Sequence, residues 1–298
     1  MEQHRWGLWY GVAAYAIWGV TPVFWKLLDG VPVLQQTGHR VVWSVPVLGA
    51  AVVLLGRRDR MRDAMRDRRT LALTALAGTL LITNWGVFVW AIASEQIVEA
   101  SLGYFINPLL SVALGVLVLG ERLRRPQAVA VGLAALGVVY MTVSLGELPW
   151  VSLVLAGTFA VYGLIKKHPL ASSPLEGLLG ETSIGAVPAL TLLVVVGLRG
   201  EGAFGVDVCD TALLVAAGVV TAAPLLLFGA AAQRIPLSTV GLLQYLAPSL
   251  QFALGVAAYG EPIVAGQLVG FAFVWSALIV FTADNYRGLR RAAPGPAG

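Results

Sequence analysis

Long apolar segments are the feature of this sequence that most narrows its choice of fold. A helix needs about 20 residues to cross the roughly 30 Å hydrocarbon core of a bilayer. The 298 residues are 58% hydrophobic and only 12% charged, which is more apolar surface than a water-soluble core of this size can bury. We therefore predict an all-α integral membrane protein with ten transmembrane helices, at residues 6–28, 33–56, 71–94, 97–119, 126–145, 149–166, 173–198, 210–233, 237–258 and 263–283.

Two stretches of the chain repeat each other without a gap. The first reads ASLGYFINPLLSVALGVLVLGERL (100–123), and the second, 140 positions later, reads VGLLQYLAPSLQFALGVAAYGEPI (240–263). With a small shift, YAIWG (15–19) also resembles FAVYG (159–163). Because each half holds an odd number of helices, equivalent helices cross in opposite directions, which predicts two inverted five-helix repeats. We place them at residues 1–145 and 146–285, followed by a short basic, disordered cytoplasmic tail at 286–298.

Positive charges indicate which loops face the cytoplasm. If the N-terminus is cytoplasmic, all but three of the 20 Lys and Arg residues lie on the cytoplasmic side, the exceptions being Lys26, Arg40 and Arg199. This bias predicts cytoplasmic termini in a bacterial inner membrane protein. The basic run RRDRMRDAMRDRR (57–69) fits an anchor on membrane lipid rather than a nucleic-acid site.

Motifs for enzyme chemistry are weak or missing in this sequence. Cys209 is the only cysteine, and the three histidines are not spaced as a metal pair. The stretch GEGAFG (200–205) matches a dinucleotide fingerprint but lacks the strand and βαβ unit that such a site needs. We predict no catalytic residues, no metal and no cofactor.

Several stretches resemble a known group of transporters. They are AYAIWGVTPVFWKLL (14–28), GHRVVWS (38–44), NWGVFVWAI (84–92), EASLGYFINPLLSVALG (99–115) and STVGLLQYLAPSLQFALG (238–255). They are similar to the RarD subgroup of the EamA family, within the drug/metabolite transporter superfamily. The resemblance covers nearly the whole chain and implies a bacterial inner-membrane permease.

The duplication and the resemblance together indicate transport. Inverted repeats place a substrate site near the bilayer midplane, between the two copies. We therefore expect a secondary transporter, outward by analogy with the superfamily, that moves a small organic metabolite or an amphipathic drug-like compound by alternating access. A proton is the candidate coupling ion. Two alternatives stay open: a membrane-embedded enzyme acting on lipid-linked substrates, and a non-transporting membrane sensor or scaffold.

Three ionisable residues are candidates for the site, because charges inside membrane helices usually face a cavity or a partner. His39 and Arg40 lie about one and a half turns into the second helix, and Glu181 holds the inverted position in the seventh. We predict that Glu181 neutralises Arg40 across the repeat axis in one conformation, and that His39 senses a proton gradient. The alternative for Arg40 is snorkelling to the outer surface.

Aromatic and amide side chains supply the rest of the predicted cavity. Such a site needs flat apolar walls and a few hydrogen-bonding groups, although each of these side chains also suits helix packing. Pro108 and Pro248 are repeat-related, so both helices are expected to bend, and Glu121 and Glu261 are expected to make helix-end contacts. The cavity candidates are Trp18, Asn84, Trp85, Tyr104, Asn107, Gln244, Tyr245 and Gln251.

Overall fold

The computed structural model consists of α-helices over the residues that it describes. It describes the backbone of residues 2–145, 150–260 and 265–292 and, within them, the side chains of 2–96, 100–143, 150–260 and 268–284. The helices are α1 (Glu2–Lys26), α2 (Val33–Leu54), α3 (Arg58–Arg66), α4 (Arg68–Ala93), α5 (Ile97–Leu117), α6 (Arg125–Leu145), α7 (Trp150–Lys166), α8 (Pro174–Leu198), α9 (Val208–Ala232), α10 (Leu237–Gln244), α11 (Leu246–Tyr259) and α12 (Ala265–Ala292).

A helix occupies each of the ten predicted apolar segments, so the all-helical prediction is confirmed for the described residues. By length and composition, seven candidate spans emerge: α2, α4, residues 100–117 of α5, residues 125–143 of α6, α8, α9, and α10 together with α11. Two further apolar helices are shorter, namely α7 and residues 268–284 of α12. The membrane character of the chain therefore follows from its described helices.

The ninth segment differs from the prediction because it forms two helices instead of one. Pro248 has no N–H to donate to the carbonyl of Gln244 four residues earlier, and its ring crowds that carbonyl. Helix α10 accordingly ends at Gln244, and the bond from the Ser249 N–H to the Tyr245 carbonyl, 3.2 Å long, continues the ladder in α11. Helix α5, by contrast, continues through Pro108.

Helix neighbours in the bundle occur in matching sets. Helix α1 packs on α9 and α4 packs on α7, whereas α2 packs on α8 and α9 and α4 also packs on α8. Helix α5 contacts α7 and α10, α1 contacts α11, and α6 contacts α12. If the two halves are exchanged, α2–α8, α5–α10 and α6–α12 are each converted into themselves, and every other neighbouring pair is converted into another pair of the same set.

Two repeat-related glycines allow close helix crossings in this pattern. A Cβ on Gly78 of α4 would lie 2.9 Å from the backbone oxygen of Glu181 in α8. A Cβ on Gly218 of α9 would lie 2.5 Å from the backbone carbon of Trp43 in α2. Glycine is required at both positions because the partner backbone fills the space that a side chain would need.

The ends of the fourth and ninth segments are also alike. Gly120 follows α5 with a φ of 67°, and Gly260 follows α11 with a φ of 65°, a left-handed conformation that glycine adopts without steric cost. Glu121 then accepts hydrogen bonds from the backbone N–H groups of Leu237 (2.6 Å) and Ser238 (2.9 Å) at the start of α10. The predicted helix-end role of Glu121 is confirmed, and Glu261 lies outside the described residues.

Four of the basic loops gather at one end of the bundle, which we call the basic end (residues 55–70, 118–125, 166–174 and 233–237). Arg57 donates to Ser173 at 3.0 Å, and Lys167 donates to the carbonyl of Ile235 at 2.7 Å. Burial lowers the pKa of Lys167, and the neighbouring Glu121 carboxylate opposes that shift. Helix α1 begins at the same end, because a Cβ on Gly7 would lie 2.6 Å from Ile235.

Candidate functional site

A cavity of about 810 Å³ lies among α1, α2, α4, α5, α7, α9, α10 and α11. Its lining includes Lys26 and Asp29 near the end of α1 and Tyr259 at the end of α11, so it opens at the mouth end, opposite the basic end. Eight of the eleven predicted site residues line this cavity: Trp18, Arg40, Asn84, Trp85, Tyr104, Asn107, Gln244 and Gln251.

Arg40 brings a positive charge into the cavity from α2. Its guanidinium carbon lies 4.7 Å from the ring centre of Trp85 and 5.7 Å from that of Trp25, within the range of cation–π attraction. Its Nε atom is buried without a hydrogen-bond partner. Among the side chains that the structure describes, Arg40 forms no ion pair within 4.0 Å.

The predicted amide groups mostly join helices around the cavity. Asn84 donates to the carbonyl of Leu155 at 2.8 Å and to Thr158 at 2.9 Å, which ties α4 to α7. Gln251 donates to the carbonyl of Trp18 at 3.1 Å, which ties α11 to α1. These two side chains therefore serve as helix contacts as well as cavity walls.

Between α5 and α10, a single hydroxyl contacts the other two predicted amides. The Ser111 hydroxyl lies 3.3 Å from Oδ1 of Asn107 and 3.5 Å from Oε1 of Gln244. Thr221 of α9 adds a buried hydroxyl to the cavity wall that has no hydrogen-bond partner. Sequence analysis did not identify Thr221, because a lone threonine in an apolar helix has no distinguishing pattern.

Five aromatic rings that pack against one another close the cavity toward the basic end. We call them the aromatic floor, and they are Tyr15, Trp18, Phe159, Tyr162 and Phe228. Trp18 lies 5.9 Å from Phe159, Phe159 lies 5.1 Å from Phe228, and Phe228 lies 5.7 Å from Tyr162, all between ring centres. Tyr15 and Phe159, like Trp18 and Tyr162, are repeat-related through YAIWG and FAVYG. That match was the available sequence signal for the floor.

The structure does not pair Glu181 with Arg40. One Glu181 carboxylate oxygen accepts a hydrogen bond from Lys166 and the other accepts one from the Tyr162 hydroxyl at 3.0 Å. Lys166 and Glu181 are each only 3% exposed, below the aromatic floor and outside the cavity lining. The prediction counted Lys166 among loop cations, but neighbouring helix residues point about 100° apart, so Lys166 turns inward while Lys167 faces the loops.

His39 and Tyr245 also lie outside the cavity lining. The His39 ring stacks on Phe204 at 5.0 Å with 19° between the ring planes, and its Nδ1 atom has no hydrogen-bond partner. The Tyr245 hydroxyl donates to the carbonyl of Phe105, its repeat-related residue, at 3.1 Å. Tyr245 thus joins the two halves at the break between α10 and α11.

Comparisons with known proteins agree on a transporter family. The model of the EamA-like transporter family matches residues 5–143. Protein RarD of Streptomyces exfoliatus is 49% identical over 97% of this chain and 92% of its own. The uncharacterized transporter YojE of Bacillus subtilis is 40% identical over 95% of this chain and 96% of its own. The chloramphenicol-sensitive protein RarD of Pseudomonas aeruginosa is 31% identical over 96% and 97%.

A solved structure supports the fold independently of close sequence similarity. A crystal structure of a protein 19% identical in sequence superposes with a TM-score of 0.73, covering 93% of this chain and 97% of the other. The predicted resemblance to RarD-like members of the EamA family is thereby confirmed by relatives, and the helical architecture is shared with a solved protein.

Proposed function

Because the chain belongs to the EamA-like transporter family, we propose that it is a secondary transporter that works by alternating access. It carries a small organic metabolite or an amphipathic drug-like compound across the bacterial inner membrane. The observation that carries this proposal is the cavity of about 810 Å³, which is open at the mouth end and closed by the aromatic floor. A volume of this size suits a small organic ligand.

An inverted repeat of ten spans fits the packing of the described helices. Exchanging the halves preserves the helix neighbours, and Gly78 and Gly218 make equivalent close crossings. Carriers built from such repeats hold substrate between the copies and rock one against the other. Since the positive-inside rule assigns the basic end to the cytoplasm, the cavity faces outward in this conformation.

A proton as coupling ion belongs to the same proposal. His39 and Glu181 are buried titratable groups on α2 and α8, and these helices pack against each other. A titratable group inside a membrane helix is a candidate for proton movement. Replacing His39 with Gln should therefore flatten the dependence of transport on a proton gradient, whereas an unchanged dependence removes His39 from this role.

Counterflow into proteoliposomes tests the transport proposal. Vesicles containing the purified chain are loaded with an unlabelled metabolite pool and given labelled candidates, with and without a proton gradient. Chloramphenicol belongs in the panel because one relative is named for sensitivity to it. We expect accumulation of at least one compound that empty vesicles do not show. If a bulky Ala247→Trp substitution at the cavity wall leaves accumulation unchanged, this cavity is not the route.

A further inference from the structure

We propose that the cavity selects an organic monoanion, whose carboxylate binds Arg40 and whose apolar body rests against the aromatic floor. This inference names the substrate class of the same site and therefore rests on the proposed function. It follows from three observations on the described residues: a half-buried cation without an ion pair, the distribution of charges along the cavity, and the apolar character of the deep walls.

The Arg40 charge is costly to remove from water. A guanidinium stays protonated in proteins, and a buried charge without a counter-charge is unfavourable. The rings of Trp25 and Trp85 offset only part of this desolvation, and the Nε atom has no acceptor. An anion that enters the cavity supplies the missing acceptor, and a planar carboxylate matches the geometry of the guanidinium.

The other charged residues of the cavity lining lie at its mouth. Lys26 and Asp29 are exposed at the mouth, and the Lys26 ammonium lies 3.8 Å from the ring centre of Tyr259. Among the described lining residues, Arg40 is the only charged side chain deeper than this mouth. A single deep cation attracts anions and repels cations. The single guanidinium of Arg40 matches the charge of one carboxylate, whereas a phosphate dianion would need more positive charge than one guanidinium supplies.

Aromatic side chains form the deep part of the cavity wall around Arg40. Trp85 lies beside Arg40, while Tyr15, Trp18 and Phe159 of the aromatic floor also line the cavity. Flat rings of this kind favour an aromatic or otherwise apolar body through burial and ring stacking. The deep wall thus presents one anion site next to an apolar surface, which together fit an amphipathic monoanion.

Binding measurements on the purified full chain in detergent test the inference. The probes are 3-phenylpropionate, its uncharged amide and 3-phenylpropylamine, followed by tryptophan fluorescence, since Trp25 and Trp85 flank the site. We expect the carboxylate to bind about 10- to 100-fold more tightly than the amide, the range for a hydrogen bond to a charged group. The amine should bind most weakly. If the amide or the amine binds as well as the carboxylate, or if none of the three binds, the inference is overturned.

Matched variants locate the effect. Arg40→Gln should remove the preference for carboxylate over amide while leaving amide binding within about twofold, and Arg40→Lys should keep part of it. Arg199→Gln, which removes an exposed cation at the end of α8, should behave like the unchanged chain. A carboxylate preference that survives in Arg40→Gln would place the anion elsewhere and contradict the proposal.

Thermal stability gives a readout that needs no organic ligand. Without added anion, Arg40→Gln should melt at a higher temperature than the unchanged chain, because it removes a partly desolvated charge that has no ion pair among the described side chains. A lower melting temperature would mean that the contacts of Arg40 with Trp25 and Trp85 already offset the desolvation of its charge, which removes the reason for an anion to bind and overturns the inference. If chloride raises the melting temperature as much as 3-phenylpropionate does, the site binds inorganic anions, and the inference is overturned as well.

Counterflow then separates this inference from the proposed function. Carboxylate-selective binding through Arg40 in a protein that transports nothing would defeat the transport proposal and leave the anion site standing. Transport of amides and amines at rates equal to those of carboxylates, unaffected by Arg40→Gln, would defeat the anion inference and leave the transport proposal standing.

Discussion

Lys166 and Glu181 form an ion pair in which both side chains are 3% exposed. Their position below the aromatic floor keeps the pair away from the open cavity, and the Tyr162 hydroxyl donates a further hydrogen bond to the carboxylate. In such a site an isolated charge is costly, whereas the ion pair as a whole contributes little net free energy to folding. The pair therefore fixes α7 against α8 more through the penalty for breaking it than through a net gain in stability.

Removing one member of this pair should destabilise the chain strongly. We expect Lys166→Met or Glu181→Leu to lower the free energy of unfolding by about 3–5 kcal/mol, because each leaves an uncompensated buried charge. The double variant should recover most of that loss. Unfolding of the purified chain in detergent measures both effects.

An ion pair with one exposed member supplies the control for this prediction. Arg124 and Asp284 pair at 2.8 Å near the basic end, with Arg124 47% exposed, and Arg124→Gln should change stability by no more than about 1 kcal/mol. A double variant of Lys166 and Glu181 that is no more stable than the weaker single variant would contradict the account of the buried pair.

Individual side chains also show what the sequence could and could not predict. The cost of a charge inside a membrane helix predicted Arg40 at the cavity, residue type on repeat-related helices predicted Trp18 and Asn107 there, and the structure brings all three to it. The contact of Glu181 with Lys166 in this structure was not predicted, because repeat alignment relates positions in two copies without stating which side chains touch. Lys166 lies at the end of α7, one helical turn after Tyr162, and from there it contacts Glu181 of α8.

At the level of helices, two glycines decide how closely the halves approach. Gly218 lets α9 meet the backbone of Trp43 in α2, and Gly78 lets α4 meet the backbone of Glu181 in α8. Close backbone approach at small residues is how membrane helices gain packing energy without help from water. These crossings join elements from different halves and so determine the shape of the cavity between them.

Adding one methyl group at either crossing should weaken the fold. We expect Gly218→Ala and Gly78→Ala each to destabilise the chain by about 1–3 kcal/mol through overpacking. Gly86→Ala, on the same helix as Gly78 but with nothing within 4 Å of an added Cβ, should be neutral or stabilising by up to about 1 kcal/mol. Thermal unfolding in detergent compares the three variants, and equal effects at Gly78 and Gly86 would exclude the packing explanation.

Helices were predictable wherever the length of an apolar segment alone identifies them. Helix α3 was missed because its nine residues are too few to span a bilayer, and the basic run was interpreted only as an anchor on lipid although Met61, Ala64 and Met65 have helical spacing. The break between α10 and α11 was foreseen only as a bend at Pro248, since the sequence does not reveal whether a missing hydrogen bond bends a helix or divides it. The continuous α5 shows that the equivalent Pro108 is accommodated.

The whole molecule places its basic loops at one end and its cavity mouth at the other. A topology reporter that works only in the cytoplasm should therefore be active when fused after residue 65 and after residue 290. It should be silent after residue 205, in the loop between α8 and α9. The reason is the positive-inside bias of the loops at the basic end. Activity after residue 205 would reverse the orientation of the chain and make the cavity face the cytoplasm.

Alternating access requires that the two ends of the molecule open in turn. Ala247 lines the cavity, whereas Ala231 is fully buried, 3.7 Å from a Cβ added at Gly11 on the basic-end side of the floor. After the exposed Cys209 is replaced by Ser, a membrane-impermeant maleimide applied from outside should label Ala247→Cys and spare Ala231→Cys. A transported compound should slow the first reaction and, in inside-out vesicles, speed up the second, because rocking of the halves closes the mouth and opens the floor. Labelling rates that stay constant while counterflow proceeds would show that the substrate takes another path through the protein.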